Sequence, residues 1–426
     1  PANAPKSSPS TPMSTPEKVA PPLNLADSSE PKPPSLELVP QEHRQEEEQP
    51  SARGRKSSPS SPTQQRSDDI VRRALYSTHA VPRTLAEAAA AESAGMPDLS
   101  FLDHAWGKTP PAAHVAATKR LYGLYALGNT CWDILFGEIM PEAASHVKRL
   151  LGVGEKHVVE FGHNSHELVT RLLSTKLDRC LKEGSERAKL RILTTDTEFY
   201  SLTRQLNRIS ELGSSSLIQI DSVEIEPLAT FPERFAAAAG EAAYDMVYSS
   251  QTVYSTQETI VPDVPGFATA VWRGVQAGWA AHRPGLSCDA LLALDGYHGF
   301  GAIPTCLGHV DESIPLCYIS GMLKHVGSGA NAAFLVAPTH VPLRPLLTGW
   351  LADPSVLAPD SDGLKLGSAV GYAPGLSLMG GTPAFAPSLL VFNEVMRRWE
   401  ERGITVERVH GHVMRLHERF LDGLKD

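Results

Sequence analysis

The chain has 426 residues, 42% of them hydrophobic, enough for one large domain or two moderate ones. Its 39 Lys and Arg against 48 Asp and Glu leave a net charge of −9, so a phosphate backbone finds no general attraction and a nucleic-acid partner is not expected. The five cysteines (Cys131, Cys180, Cys288, Cys306 and Cys317) are scattered without a C-x-x-C pair, which argues against a disulfide framework and a zinc ribbon.

Residues 1–68 differ from the rest. They are dense in Pro and Ser ("PKSSPSTPMSTPEKVAPP", "RGRKSSPSSPTQQRS"), carry the acidic run Glu46–Glu48, and hold no aromatic residue. Such a segment buries too little apolar surface to offset its ordering entropy, so a disordered tail or linker is expected, one that tethers the globular part to a partner domain. From residue 69 to 426 the chain reads as globular. "HVVEFG" (157–162) predicts a strand and "SHELVTRLLSTKLDRCL" (165–181) an amphipathic helix. "RILTT" (191–195), helix "SLTRQLNRISEL" (201–212) and strand "SLIQI" (216–220) follow. Next come helix "FPERFAAAAGEA", strand "YDMVYSS", helix "VPGFATAVWRGVQAGWAAH" and the apolar run "ALLALDGYHGF" (290–300). Strands "PLCYISG" and "AAFLVAP" flank a polar turn, and helices are expected over 386–403 and 404–424. Alternation of helices with continuously apolar strands predicts an α/β fold, a mostly parallel sheet covered by helices on both faces. Ligands of such sheets bind at the carboxyl ends of the strands. No apolar run approaches the ~20 residues that span a bilayer, and no signal-peptide core opens the chain, so a soluble cytoplasmic protein is expected.

Four groups fall at those ends. In "FGHNSHELV", Asn164 or Ser165 is a candidate helix N-cap whose free N–H groups suit an anion, though an ordinary capped helix explains them equally. "TTDTEFYSLTRQ" sets Phe199 and Tyr200 just past a strand, where an aromatic face stacks on a flat heterocycle or simply packs. "LALDGYHGF" ends an apolar strand with Asp295, a carboxylate that needs a partner at the edge of a core, followed by His298. Lys324 stands alone in the turn of "YISGMLKHVGSGANAAFLVAP", with no other lysine between Lys189 and Lys365. Partial burial there would lower its pKa and make it an amine nucleophile, whereas a solvated turn would leave it inert. Together the groups describe a flat heterocycle with a cationic nitrogen, a phosphate and a carbonyl that lysine traps. Pyridoxal 5'-phosphate (PLP) fits.

The motifs "FLDHAWGKTPP", "FGHNSHELVTRLLS", "TDTEFYSLTRQLNR", "DGYHGFGAIPT", "YISGMLKHVGSGANAAFLVAP" and "GTPAFAPSLL" resemble, in order, those of the class V aminotransferase and kynureninase-like group of fold type I PLP-dependent enzymes. The resemblance implies Lys324 as the Schiff-base lysine, Asp295 on the pyridine nitrogen and His298 near the phenolic oxygen. It implies Phe199 or Tyr200 on the ring, with Asn164 and Ser165 at the phosphate. Ser320 would add a phosphate hydrogen bond, Gln251 or Ser255 would approach the phenolic oxygen, and Thr382 would reach the phosphate of the neighbouring subunit in a homodimer.

Two departures stand out. Leu323 precedes Lys324 where many members of the group carry His. The group also continues into a small C-terminal domain with the arginine that anchors a substrate carboxylate. Here that domain is expected to be incomplete, cut short or supplied by another chain. The implied activity is a lyase or an aminotransferase acting on an amino acid, the alternative being a catalytically silent scaffold of the same fold. Desulfuration is disfavoured, since the last cysteine, Cys317, precedes the lysine, unless the missing C-terminal region holds one. A nucleotide-binding Rossmann enzyme lacks its G-x-G-x-x-G turn. His104, His114, His163, His166 and His298 form no H-x-x-x-H pair, and no metal site is expected.

Overall fold

The continuously apolar runs become strands because both faces of the sheet are covered. The computed structural model describes residues 111–424 apart from 184–188, 213–216, 359–360, 362, 382 and 384–385. The expected tail, the 101–110 motif and Thr382 therefore lie outside the described residues. Helices α1 (Pro111–Tyr125), α2 (Thr130–Ile134) and α3 (Met140–Leu150) come first, α2 and α3 being joined by one widened helical turn over Leu135–Ile139. Strand β1 (His157–Gly162) leads to α4 (Ser165–Glu183), β2 (Leu190–Thr195) to α5 (Tyr200–Ser210), and β3 (Ile218–Val223) to α6 (Phe231–Ala238). Then follow β4 (Met246–Ser250), α7 (Val264–His282), β5 (Leu291–Asp295), β6 (Leu316–Gly321) and β7 (Ala333–Pro338). Helices α8 (Ala386–Glu401) and α9 (Val406–Gly423) end the described chain.

The seven strands form one sheet in the order β1-β7-β6-β5-β4-β2-β3. Pairs β2–β3, β2–β4, β4–β5 and β5–β6 are parallel, and β7 alone runs against both its neighbours, β6 and β1. Side chains alternate between the faces with the strand period of two. Leu292 and Leu294 of β5, with Phe334 and Val336 of β7, join one core; Leu291, Ala293, Ala333 and Leu335 join the other. The first core is closed by Phe231 and Phe235 of α6, by Val264, Ala268, Val271 and Val275 of α7, and by α3 and α8. The second is closed by Leu168, Leu172 and Leu173 of α4 and by Leu202, Leu206 and Ile209 of α5. Steps of three and four along each helix set these side chains on one stripe. Each fully buried Leu, Ile or Phe stabilises the fold by roughly 1.5–3 kcal/mol.

The predicted elements from residue 157 onward are present, with ends shifted by a few residues. The run 290–300 stops being a strand at Asp295, because Gly299 and Phe300 donate their N–H groups back to the Gly296 carbonyl at 2.9 and 2.8 Å and close a turn. Helices α1 to α3 had no sequence-based expectation; the apolar and polar residues of α1 do not separate cleanly, whereas α3 buries Met140, Ala143 and Val147 on one stripe. Among the described residues no helix is long and apolar enough to cross a membrane.

Glu160 in β1 is buried, and its carboxylate accepts N–H bonds from Ser377 (3.2 Å) and Leu378 (3.1 Å), pinning that loop to the sheet. Burial lifts its pKa from 4.5 to about 7, against hydrogen bonds that favour the charged form. The folded chain thus keeps a proton that the unfolded chain releases, and stability declines as pH rises between those two values. Urea unfolding at a series of pH values should show this decline, at most on the order of 3 kcal/mol for one group. Glu160→Gln should flatten it by that share; identical slopes in both proteins would mean that folded Glu160 does not hold the proton.

Candidate functional site

The parallel strands all end on one edge of the sheet, and the register there brings chemistry-bearing residues level. Ser250, the last residue of β4, pairs with Asp295, the last of β5, which pairs in turn with Ile319 of β6. A cavity of about 370 Å³ opens at this edge. Ser165, Phe199, Asp295, His298 and Lys324, five of the residues singled out in the sequence, line it together. Ser250, Thr252, Tyr254, Gln257, Tyr297 and Leu323 complete the wall.

Lys324 projects from the turn between β6 and β7. The turn is held by Met322, whose N–H donates to the Ala332 carbonyl (3.1 Å) and whose own carbonyl accepts the Ser328 N–H and hydroxyl, both at 2.9 Å. Gly327 and Gly329 take φ of 56° and 97°, which a side chain would resist. The Lys324 amine has no hydrogen bond or ion pair among the described residues, and burial lowers its pKa. Its amine is therefore easier to deprotonate than that of a surface lysine.

Asp295 is 7% exposed. Its Oδ2 accepts from the Tyr248 hydroxyl at 2.9 Å and its Oδ1 from the Tyr297 N–H at 2.8 Å. Among the described residues no basic side chain pairs with it, and burial raises its pKa while those two hydrogen bonds oppose the rise. A second carboxylate, Glu198, is buried on the same edge. It accepts from the Thr195 hydroxyl (2.7 Å), the Ser250 N–H (2.9 Å) and the Ser250 hydroxyl (2.5 Å). Burial first, and the Asp295 charge last, push its pKa up to about 7 against those hydrogen bonds.

His298 follows one turn after Asp295, and its Nδ1 lies 3.2 Å from Oε1 of Gln257. Burial, then Lys324 and His325, lower its pKa to about 4, so the ring is neutral at pH 7. Phe199 stands at the mouth, its ring 5.8 Å from Tyr200 and 5.2 Å edge-on from Tyr254. At the start of α4, Asn164 Oδ1 accepts the Glu167 N–H at 2.8 Å, the N-cap bond. The N–H groups of Ser165 and His166 open the helix and have no intrahelical acceptor.

Four of the sequence-derived residues do not line the cavity. Asn164 is spent on capping, and Tyr200 is exposed beside Phe199. Gln251 is fully buried, donating to Thr305 Oγ1 (2.9 Å) and accepting from the Tyr318 hydroxyl (3.4 Å). Ser320 is also buried, its hydroxyl on the Gly296 carbonyl at 3.3 Å. Sequence reasoning missed Glu198, Tyr248, Tyr254 and Gln257. Glu198 and Tyr248 carried a weak signal, a polar group within or just beyond an apolar strand. Tyr254 and Gln257 sit in a loop with no pattern.

No protein-family model matches the chain, and no curated protein matches it in sequence. Solved structures do. The cystine C–S lyase C-DES, in complex with its reaction product cysteine persulfide, is similar with a TM-score of 0.50 at 16% identity, over 71% of this chain and 72% of that one. A lysine-to-alanine mutant of C-DES with glycine covalently linked to its PLP cofactor gives 0.52 at 14% identity, over 74% of each chain. The chain has the fold of the type I PLP-dependent enzymes. In that fold the cavity edge depends on close approaches. A Cβ on Gly296 would overlap the Tyr318 hydroxyl, and one on Gly321 would overlap the Tyr297 ring.

Tyr248→Phe should destabilise the protein by about 1–3 kcal/mol, because a buried carboxylate loses one of its two donors. Combined with Asp295→Asn it should cost less than the sum of the two single changes. Additivity in urea unfolding would show that the Tyr248 hydroxyl and Asp295 do not act as a pair.

Proposed function

We propose that this chain is a PLP-dependent enzyme of cytoplasmic location that acts on an amino acid through Lys324, as a lyase or an aminotransferase. One observation carries the reading: one cavity of this fold is lined by a lysine amine and a buried carboxylate, neither of which has a charged partner among the described residues. The residues fit the cofactor. Asp295 suits a protonated ring nitrogen, since a cation would offset the burial of its charge. Phe199 offers a ring face, and the opening N–H groups of α4 suit a phosphate.

Bound there, PLP supplies an aldehyde that a lysine amine can hold and a ring that withdraws electron density from the substrate's α-carbon. The chain does the rest. Lys324, with its lowered pKa, would be the group to take the proton from the α-carbon. Asp295 keeps the ring nitrogen charged. By the resemblance, Thr382 would reach the phosphate held by the neighbouring subunit of a homodimer, and the Pro- and Ser-rich tail would link to a partner domain. The lyase option gains support from the C–S lyase activity of C-DES. No cysteine lines the cavity among the described residues, and burial pushes the Cys317 thiol up to about 12, which speaks against a cysteine-borne desulfuration.

Addition of PLP to the purified protein should produce a visible absorption band that borohydride bleaches, with the pyridoxyl mass on Lys324. Lys324→Ala should lose the covalent attachment. Asp295→Asn should keep it yet lose turnover by about a hundredfold or more. Failure of the folded protein to take up PLP would overturn the reading. Uptake without any response to amino acids would assign the chain as a silent scaffold.

A further inference from the structure

The loop after β4 carries a residue whose backbone is strained and whose side chain reaches the site. Gln257 has φ of 62°, the left-handed region that a glutamine rarely occupies. The loop imposes it. Thr252 bridges to Thr259, the Val253 N–H donates to the Glu258 carbonyl (2.9 Å), and the Gln257 N–H donates to the Val253 carbonyl (2.8 Å). The result aims the Gln257 amide between two fixed groups, the Tyr254 carbonyl at 2.5 Å and His298 Nδ1 at 3.2 Å.

These two contacts fix the hydrogens. A carbonyl only accepts, so the amide atom beside Tyr254 is the NH2 group and cannot be flipped. The atom facing His298 is then the amide oxygen, which also only accepts, and Nδ1 must carry the hydrogen. Burial keeps the ring neutral, and Lys324 and His325 act in the same direction. Its Nε2 is left as the bare nitrogen, with no hydrogen bond among the described residues, on a side chain that lines the cavity.

We propose that Gln257 is a positioning residue that locks His298 as the Nδ1–H tautomer and presents Nε2 as an acceptor to a hydrogen-bearing group of the ligand. The ammonium of an amino acid is such a group; an ionised phenolic oxygen is not. The identity of that ligand rests on the PLP reading, while the tautomer does not.

The two are separable by experiment. Long-range 15N–1H spectra of histidine-labelled protein, without added cofactor and near neutral pH, report the tautomer directly, with His298→Gln assigning the signal. In the wild type, Nδ1 should appear protonated and Nε2 bare. Gln257→Met keeps the length without the amide. Gln257→Asn tolerates the left-handed backbone but is too short to reach His298. Both should lose the Nδ1–H signal in favour of the other tautomer or a mixture, and the Asn variant rules out loop collapse as the cause. A wild-type His298 protonated on Nε2, or Nδ1–H persisting in both variants, would overturn the proposal. A negative borohydride test with the tautomer shift intact would remove the PLP reading and leave this assignment standing.

Discussion

The carboxylate of Asp295 at the end of β5 is the constraint around which the site is arranged. Taking an ionised carboxylate out of water costs several kcal/mol unless donors and a counter-charge replace its hydration. The protein provides two donors, the Tyr248 hydroxyl and the Tyr297 N–H, and among the described residues no counter-charge. Bringing those donors in demands tight backbone. The Asp295–Gly296 segment lies against the Tyr318 hydroxyl, and Gly321 lies against the Tyr297 ring, leaving no room for a Cβ at either glycine. Glu198, held by Thr195 and Ser250, sets a second acid on the same edge. Burial lifts its pKa to about 7, which favours the protonated form and so limits the negative charge crowded beside Asp295.

The single reversed strand keeps the whole segment around Lys324 at this edge. A parallel connection from β6 would carry the chain away through a crossover and return it at the opposite end of the sheet. Because β7 runs antiparallel to β6, the segment between Gly321 and Ala333 stays at the carboxyl edge and lays Lys324 against the cavity. Amine and carboxylate then share one desolvated space. The burial that lowers the pKa of Lys324 also raises that of Asp295, so both are biased toward their neutral forms. By linkage, a ligand bearing a cation at Asp295 would draw that carboxyl back toward its charged form.

The sheet and its carboxyl edge were legible because apolar runs record two-sided burial and the residues that interrupt them record the edge. Asp295 and Lys324 stood out for that reason: each is a polar residue at the end of, or between, runs that otherwise admit none. Glu198 has the same character but was hidden by its neighbours, since "TDTEFYS" reads as an exposed polar loop. Only the fold shows that Thr195 and Ser250 turn their donors toward it. Gln251 and Ser320 were candidates by motif resemblance alone, and a matching motif position does not tell a cavity wall from an internal hydrogen bond. For α1 the periodic signal was weak, and tertiary packing against α8 supplied what local pattern did not, whereas α3 carries a clear amphipathic stripe of its own.

The loop over 252–259 differs in kind from the edge it borders. The edge offers groups that any amino acid bound to the proposed cofactor would meet: an amine, a carboxylate, a ring face and helix N–H groups. The loop offers Tyr254 and Gln257, and its shape is fixed by backbone hydrogen bonds together with Val253, buried in the core, at the expense of a left-handed glutamine. Such strain persists only where the surroundings over-determine it. Here the Thr252–Thr259 bridge closes the loop on one side and His298 receives the side chain on the other. On the proposed reading, discrimination among amino acids falls to this wall, since the groups at the edge are the same for all of them. The sequence carried no sign of it because a tight loop's register depends on which backbone groups meet, and composition does not encode that.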